Sequence, residues 1–214
     1  MRRRRLFEVA AATCVVLSVA SSGNTETWQV DVSVSHLEGT YGSSEQTSIL
    51  YAPLTVKRLF ERGDVSVSVP FVSMNTQGEA ARTSGLGDVL LKGRLYAVEE
   101  RGGRPGIDLA AWFKVPTAAE GLGLGEPEAG LGVELSRRLT AKHVLMADAL
   151  YTAIGNSPDT DYRNRVTWDV GLAWQPRRGA TIALYYDYRS ALREGRGSEQ
   201  SLLLFGSRRV RPGL

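Results

Sequence analysis

Arg163 to Gln175 reads RNRVTWDVGLAWQ, and its pattern decides the fold. Val166, Trp168, Val170, Leu172 and Trp174 fall on one parity, while Arg163, Arg165, Thr167, Asp169 and Gln175 fall on the other. Period two with unlike faces is the signature of a β-strand. The pattern recurs along the chain. Trp28, Val30, Val32 and Val34 oppose Gln29, Asp31, Ser33 and Ser35, and Val65, Val67, Val69 and Phe71 oppose Asp64, Ser66 and Ser68. Ile107 to Val115, Leu131 to Arg138, Leu145 to Thr152 and Thr181 to Arg189 alternate in the same way. Asp88 to Tyr96, Ser48 to Arg58 (interrupted by Pro53) and the short SLLLF run Ser201 to Phe205 bring the expected number of strands to ten.

Many of these runs exceed the five or six residues usual in globular proteins and match a tilted crossing of a bilayer. The connections alternate in length. Gly39 to Thr47, Asn75 to Ser84, Ala118 to Gly125, Gly155 to Tyr162 and Arg193 to Ser198 are long and rich in Gly, Asn, Ser and charge. Glu61 to Gly63, Thr140 to Lys142 and Pro176 to Gly179 are tight turns, with Glu99 to Pro105 the exception. Long loops at one end and short turns at the other are the habit of an outer-membrane barrel. The expected fold is therefore all-β, an antiparallel up-and-down transmembrane β-barrel of ten strands. An open sheet edge cannot be hydrated in lipid, so such a sheet must close.

The 214-residue chain carries 26 basic and 23 acidic residues and one Cys. Arg2 to Arg5 open an apolar stretch, Leu6 to Ala20, that ends in small residues. A basic start, an apolar centre and a small-residue end read as a secretory signal peptide over residues 1–20, with the barrel over 21–214. An uncleaved anchor is the alternative, but a span needs about 20 residues. Cleavage after Ala20 would remove Cys14, four Arg and Glu8, leaving 22 basic and 22 acidic residues. A neutral mature chain offers no general electrostatic case for nucleic acid, and one without Cys has no disulfide or thiolate metal site.

In the barrel reading the polar parity lines the lumen: Asp88, Lys92, Arg94, Asp108, Lys114, Glu134, Asp148, Arg163, Arg165, Asp169, Asp187 and Arg189, together with Asp31, Asp64 and Arg138. Eight acids and seven bases nearly cancel, so they fit either an internal salt-bridge brace or a polar conduit. The apolar parity meets lipid: Phe71, Phe113, Tyr151, Trp168, Val170, Trp174, Tyr186 and Tyr188. His36 and His143 lack metal-ligand spacing, no GxSxG elbow is present, and the serines of Gly42-Ser43-Ser44 lie in a loop. Gly85 to Gly87 and Gly121 to Gly125 do not stand between a strand and a helix, so they make no dinucleotide site. Asn156, Asp159 and Asp161 fit loop turns as well as a calcium loop. No catalytic residue, metal or cofactor is expected.

The segments Ser84 to Lys92 (SGLGDVLLK), Pro105 to Pro116 (PGIDLAAWFKVP), Gly121 to Leu139 (GLGLGEPEAGLGVELSRRL) and Tyr186 to Ala191 (YDYRSA) carry a family resemblance. The chain resembles bacterial outer-membrane β-barrel proteins of the family named after the meta-pathway of phenol degradation, from about Leu54 to Phe205. The resemblance implies a transporter-like or porin-like role in the cell outer membrane. Outer-membrane lipid, the barrel-assembly machinery and small solutes would be the partners. The alternatives are a non-conducting structural or ligand-binding barrel plugged by salt bridges, and a soluble periplasmic β-sandwich binding an apolar ligand. The end departs from the family pattern, since Arg208 to Leu214 reads as entry to another turn where an aromatic-ended strand is usual. A family unit of twelve strands, shortened here after Phe205, is the expectation.

Overall fold

The computed structural model describes residues 12–23, 26–39, 46–77, 82–156, 161–195 and 197–209. Among the described residues every regular element is a strand: β1 Ala12–Gly23, β2 Glu26–Gly39, β3 Thr47–Phe60, β4 Gly63–Thr76, β5 Thr83–Leu86, β6 Val89–Val98, β7 Gly106–Val115, β8 Glu128–Arg138, β9 His143–Ile154, β10 Arg165–Arg177, β11 Ala180–Arg189 and β12 Glu199–Arg209. Each strand pairs antiparallel with the next in the chain, except that β5 and β6 both pair with β4 and form two halves of one stave. β12 then pairs with β1, which brings the ladder back to its start. The result is an all-β, up-and-down barrel.

All ten expected strands are present, and three features add to or differ from expectation. The first is β1, an additional strand: in the full chain Ala12 to Ala20, the later part of the expected leader, lie between β2 and β12. Its β-branched run at Val15, Val16 and Val19 suits an extended conformation. From β2 to β12 there are ten staves of alternating direction, so β2 and β12 run opposite ways. An eleventh stave antiparallel to β2 must run parallel to β12, and it does. The second is the end of the chain. The ladder continues past Phe205 to pair Ser207 with Thr181 and Arg208 with Ala180, because the start of β11 also needs a partner. Residues 210–214 lie outside the described residues.

The third difference concerns proline. Pro53, expected to interrupt its strand, lies within β3 opposite Pro70 of β4. Proline cannot donate to a ladder, and each of the two stands at a gap on its other side. The β2–β3 ladder passes from Val32↔Leu54 to Ser35↔Tyr51, skipping Pro53. Pro70 faces the break between β5 and β6, where its carbonyl accepts the Gly87 N–H at 2.8 Å. Pro70 thus stands where one long stave divides into β5 and β6.

Inside, glycines make room for large neighbours. A Cβ on Gly171 would run into the Tyr185 ring, its cross-strand partner, and one on Gly130 into the Trp112 indole. A glycine in a strand often marks such a close approach. Gly171→Val should therefore destabilise the barrel by about 1–3 kcal/mol through overpacking. Pairing it with Tyr185→Ala should cost less than the two changes summed. The check is the urea midpoint of the heat-modifiable folded band on a cold gel.

Candidate functional site

The barrel is inverted relative to a soluble domain. Among the described residues the buried apolar side chains are Ala110, Ile154, Tyr162, Ala173 and Ala183, whereas Asp64, Asp187, Thr47, Ser73 and Thr152 are buried and polar. The large apolar side chains face out. Phe71, Phe113, Tyr151, Trp168, Val170 and Trp174 are 37% to 52% exposed. Tyr186 and Tyr188 share that face but are half-buried, because their rings pack on Trp168 at centroid distances of 5.6 and 5.4 Å.

The inward parity brings six of the expected lumen residues together in two charged clusters. In the first, Arg94 of β6 donates through Nη2 and Nε to Asp64 Oδ2 of β4 at 2.6 and 2.9 Å. Tyr96 Oη donates to the same oxygen at 2.7 Å. Arg94 Nη1 also donates to Glu134 Oε2 of β8 at 3.2 Å, and Lys92 forms an ion pair with Glu134. Staves β4, β6 and β8 are tied across the interior in this way, with the last link passing over β7. In the second cluster, Lys114 of β7 pairs with Asp88 Oδ2 at 3.0 Å and with Glu128. Asp88 Oδ1 in turn accepts the Ala118 N–H at 3.0 Å, which fastens the loop 116–127 to the break between β5 and β6.

That loop accounts for the two glycine runs singled out from the sequence. They meet. Ala119 N–H bonds Leu86 carbonyl at 2.9 Å, a Cβ on Gly85 would press on Ala119, and one on Gly123 would press on the Asp88 carboxylate. The glycines permit a loop to lie flat on a strand end, with Gly121 and Gly125 at positive φ.

Glu134 also belongs to a tier of acids. Asp108, Glu134, Asp148, Asp169 and Asp187 are directly opposed in register from β7 to β11. Like charges opposite one another oppose pairing, and the compensating cations are unevenly placed. Lys92 and Arg94 serve Glu134, and Arg189 Nε reaches Asp187 Oδ1 at 3.0 Å. Asp148 and Asp169 are half-buried between them, and Asp169 Oδ1 is buried without a hydrogen-bond partner. The interior therefore has a braced wall on β4 to β8 and an acid-rich wall on β8 to β11.

Other expected lumen residues lie elsewhere. Arg163 precedes the first residue of β10 and is exposed, pairing with Glu194 at 3.2 Å between two long loops. These loops are also joined by the Tyr162↔Arg193 bridge, with the guanidinium 5.2 Å from the ring centroid. Arg138 is exposed at the short-turn end, where Nη1 donates to Gln175 Oε1 at 3.2 Å. Arg165 and Asp31 are half-buried on the inward parity, and Arg189 is partly exposed on the same parity. Glu128, Tyr96 and Lys57 are inward residues that sequence reading passed over, although parity alone would have found Tyr96 and Lys57 within their expected strands. Glu128 lies three residues before the expected start of its strand.

His36 bonds Glu38 at 3.1 Å, and His143 bonds Thr140 at 2.9 Å in a turn. No group of three or more His, Cys, Asp or Glu suited to a metal ion occurs among the described residues. Gly42-Ser43-Ser44 and Asp159 lie outside the described residues.

Fold and interior define the class: an all-β barrel, apolar outside and charged within. Residues 20–190 match the model of the family described as "Putative MetA-pathway of phenol degradation", and the chain belongs to that family. The match begins earlier than the resemblance read from the motifs and ends before β12. No curated protein matches the chain.

Glu134 holds two cations, so Glu134→Gln should lower stability by about 1.5–3 kcal/mol, the range for hydrogen bonds to charged groups. Lys92→Met combined with Glu134→Gln should cost less than the sum if the two are coupled. Urea unfolding of the folded barrel in detergent checks both.

Proposed function

We propose that this chain is exported and inserted into the bacterial outer membrane, where the barrel provides passive passage for small solutes. The inverted polarity carries the reading. In water the outward rows would expose an apolar belt far larger than a monomer tolerates, while in a bilayer the same rows form the favourable surface. From Val166 to Trp174 the outward row of β10 covers eight residue steps, about 27 Å along the strand. At the usual tilt this is roughly 20 Å of height, close to the apolar band of about 25 Å on such barrels. Aromatic rings stand toward both ends of it, Trp168 with Tyr188 at one and Trp174 at the other.

Within the lumen the acid tier sets a negative wall, which favours small cations over anions in a narrow polar passage. No covalent chemistry, cofactor or nucleic acid enters this reading, and the partners are membrane lipid, the assembly machinery during insertion, and the solutes themselves. The Asp64–Arg94–Glu134–Lys92 network favours a second reading, a braced barrel with a closed bore. Conductance separates them. The full chain folded into planar bilayers should give discrete conductance with K⁺ favoured over Cl⁻, and Asp148→Asn with Asp169→Asn should reduce that preference. A folded, heat-modifiable barrel that never conducts would support the braced reading.

Membrane insertion has its own test. Val170 lies mid-span on the outward row, so Val170→Arg should cost roughly 2–4 kcal/mol of folding stability in bilayers. Equal stability, or release of the wild-type protein with the soluble periplasm, would sink the membrane assignment.

A further inference from the structure

The loop 116–127, between β7 and β8, is seated on the inner side of the wall. Phe71 and Leu86 are directly opposed and are 44% and 59% exposed, which fixes their row as an outward one. Thr83 and Gly85 are then on the inward parity of β5. A Cβ on Gly85 would lie 3.0 Å from Ala119 Cβ and 3.3 Å from Leu122 Cδ1, and one on Gly121 would lie 3.8 Å from Thr83 Cγ2. The loop therefore turns into the mouth of the barrel and covers β5 from within. This is the end that carries the long loops, the external side in the membrane orientation.

The loop is fastened at its start. Lys114 and Glu128 are directly opposed and ion-paired, which closes its base. Asp88 then draws it sideways: Oδ2 lies 3.0 Å from Lys114 Nζ, and Oδ1 accepts the Ala118 N–H at 3.0 Å. Beside it Thr117 Oγ1 accepts the Val89 N–H at 3.0 Å, and the Leu86 carbonyl accepts the Ala119 N–H at 2.9 Å. Beyond Ala119 the hold changes in kind. The Leu122 N–H bonds back within the loop, to the Ala119 carbonyl at 3.0 Å, and the Leu122 side chain rests on the place left by the missing side chain of Gly85. Gly121 and Gly125, at φ 78° and 75°, bracket that part of the loop. Glycines on both sides are suited to absorb a change in backbone direction.

We propose that this loop is a lid on the external mouth of the lumen: seated, it narrows the passage, and released from Asp88 it swings on its glycines and widens it. This rests on the passage reading and names the element that controls it. The distribution of contacts separates a lid from a permanent plug. Polar bonds to the wall are gathered at Thr117 to Ala119, whereas Leu122 is held by an apolar seat that a single side chain on β5 would abolish. The lid is also separate from the acid tier. Glu134 stands six residues beyond Glu128 on β8, about 20 Å along the strand. A solute entering from outside meets the lid first and the acids deeper, so the lid can be altered without touching the tier.

The test is single-channel recording of the full chain in planar bilayers, with the time spent at each conductance level measured. Wild type should dwell at a narrow level and visit a wider one briefly. Asp88→Ala removes the acceptor of the Ala118 N–H, and it should move the ratio of wide to narrow dwell times about tenfold or more towards wide, the scale of one hydrogen bond to a charged group. Gly85→Leu fills the seat and leaves every charge in place, so the same shift there cannot come from a lost carboxylate. Gly85→Cys with Ala119→Cys, in a Cys14→Ser chain, puts two thiols within reach of a disulfide. Oxidised, that chain should stay at the narrow level, and reduction should restore the wide visits. Heat-modifiability identifies the folded variants. Folded Asp88→Ala and Gly85→Leu barrels with the wild-type dwell ratio would overturn the proposal and leave the passage reading standing, as would an oxidised pair that still reaches the wide level. A folded wild type that never conducts removes the passage reading and the proposal with it.

Discussion

The structure depends on one requirement, that backbone donors and acceptors in a wall with an apolar outer side be paired within the sheet. Every stave consequently has two neighbours and the ladder closes. The departures from a plain meander follow from the same rule. Pro53 and Pro70 have no N–H to give, so they face each other and stand at gaps in the ladders on their other sides. The Gly87 N–H, lost to regular pairing at one of those gaps, is recovered by the Pro70 carbonyl. At the seam, β1 supplies partners to both β2 and β12 and accepts parallel pairing because the stave count is odd.

Closure into a narrow ring makes the interior crowded, and the side chains answer in two ways. Where Trp112 and Tyr185 point inward, the opposed residue is glycine. Where charges point inward, they reach across staves, as Arg94 does between Asp64 and Glu134. Removing one partner would leave the other desolvated and uncompensated, which is why such clusters rigidify a fold even when their net contribution is small. The long loops are held by related means. Asp88 ties the β7–β8 loop, and Tyr162 with Arg193 joins the two loops flanking β10 and β11.

The division of the interior into a braced wall and an acid-rich wall bears most directly on function. Total charge is nearly balanced, yet the local field is not, since the acids opposed in register from β7 to β11 have their cations at the margins of the tier.

Much of this was legible in the residues. Alternation at Arg163 to Gln175 and its repeats located ten staves and separated inward from outward side chains, because period two follows from strand geometry alone. Parity would also have found Tyr96, which lies inside the expected strand Asp88 to Tyr96, and Glu128 had the start of its strand been set by pairing and not by the first large apolar residue. Other features needed the fold. Whether Asp148 faces Asp169 or a residue two places along depends on hairpin register, which turn length and partner strands set together. Pro53 reads as a strand breaker until Pro70 and the ladder gaps are seen beside it. The sequence by itself determined a sheet with one apolar and one charged face; tertiary structure decided which charges meet, because contacts between staves join residues far apart in the chain and only closure brings them to one level.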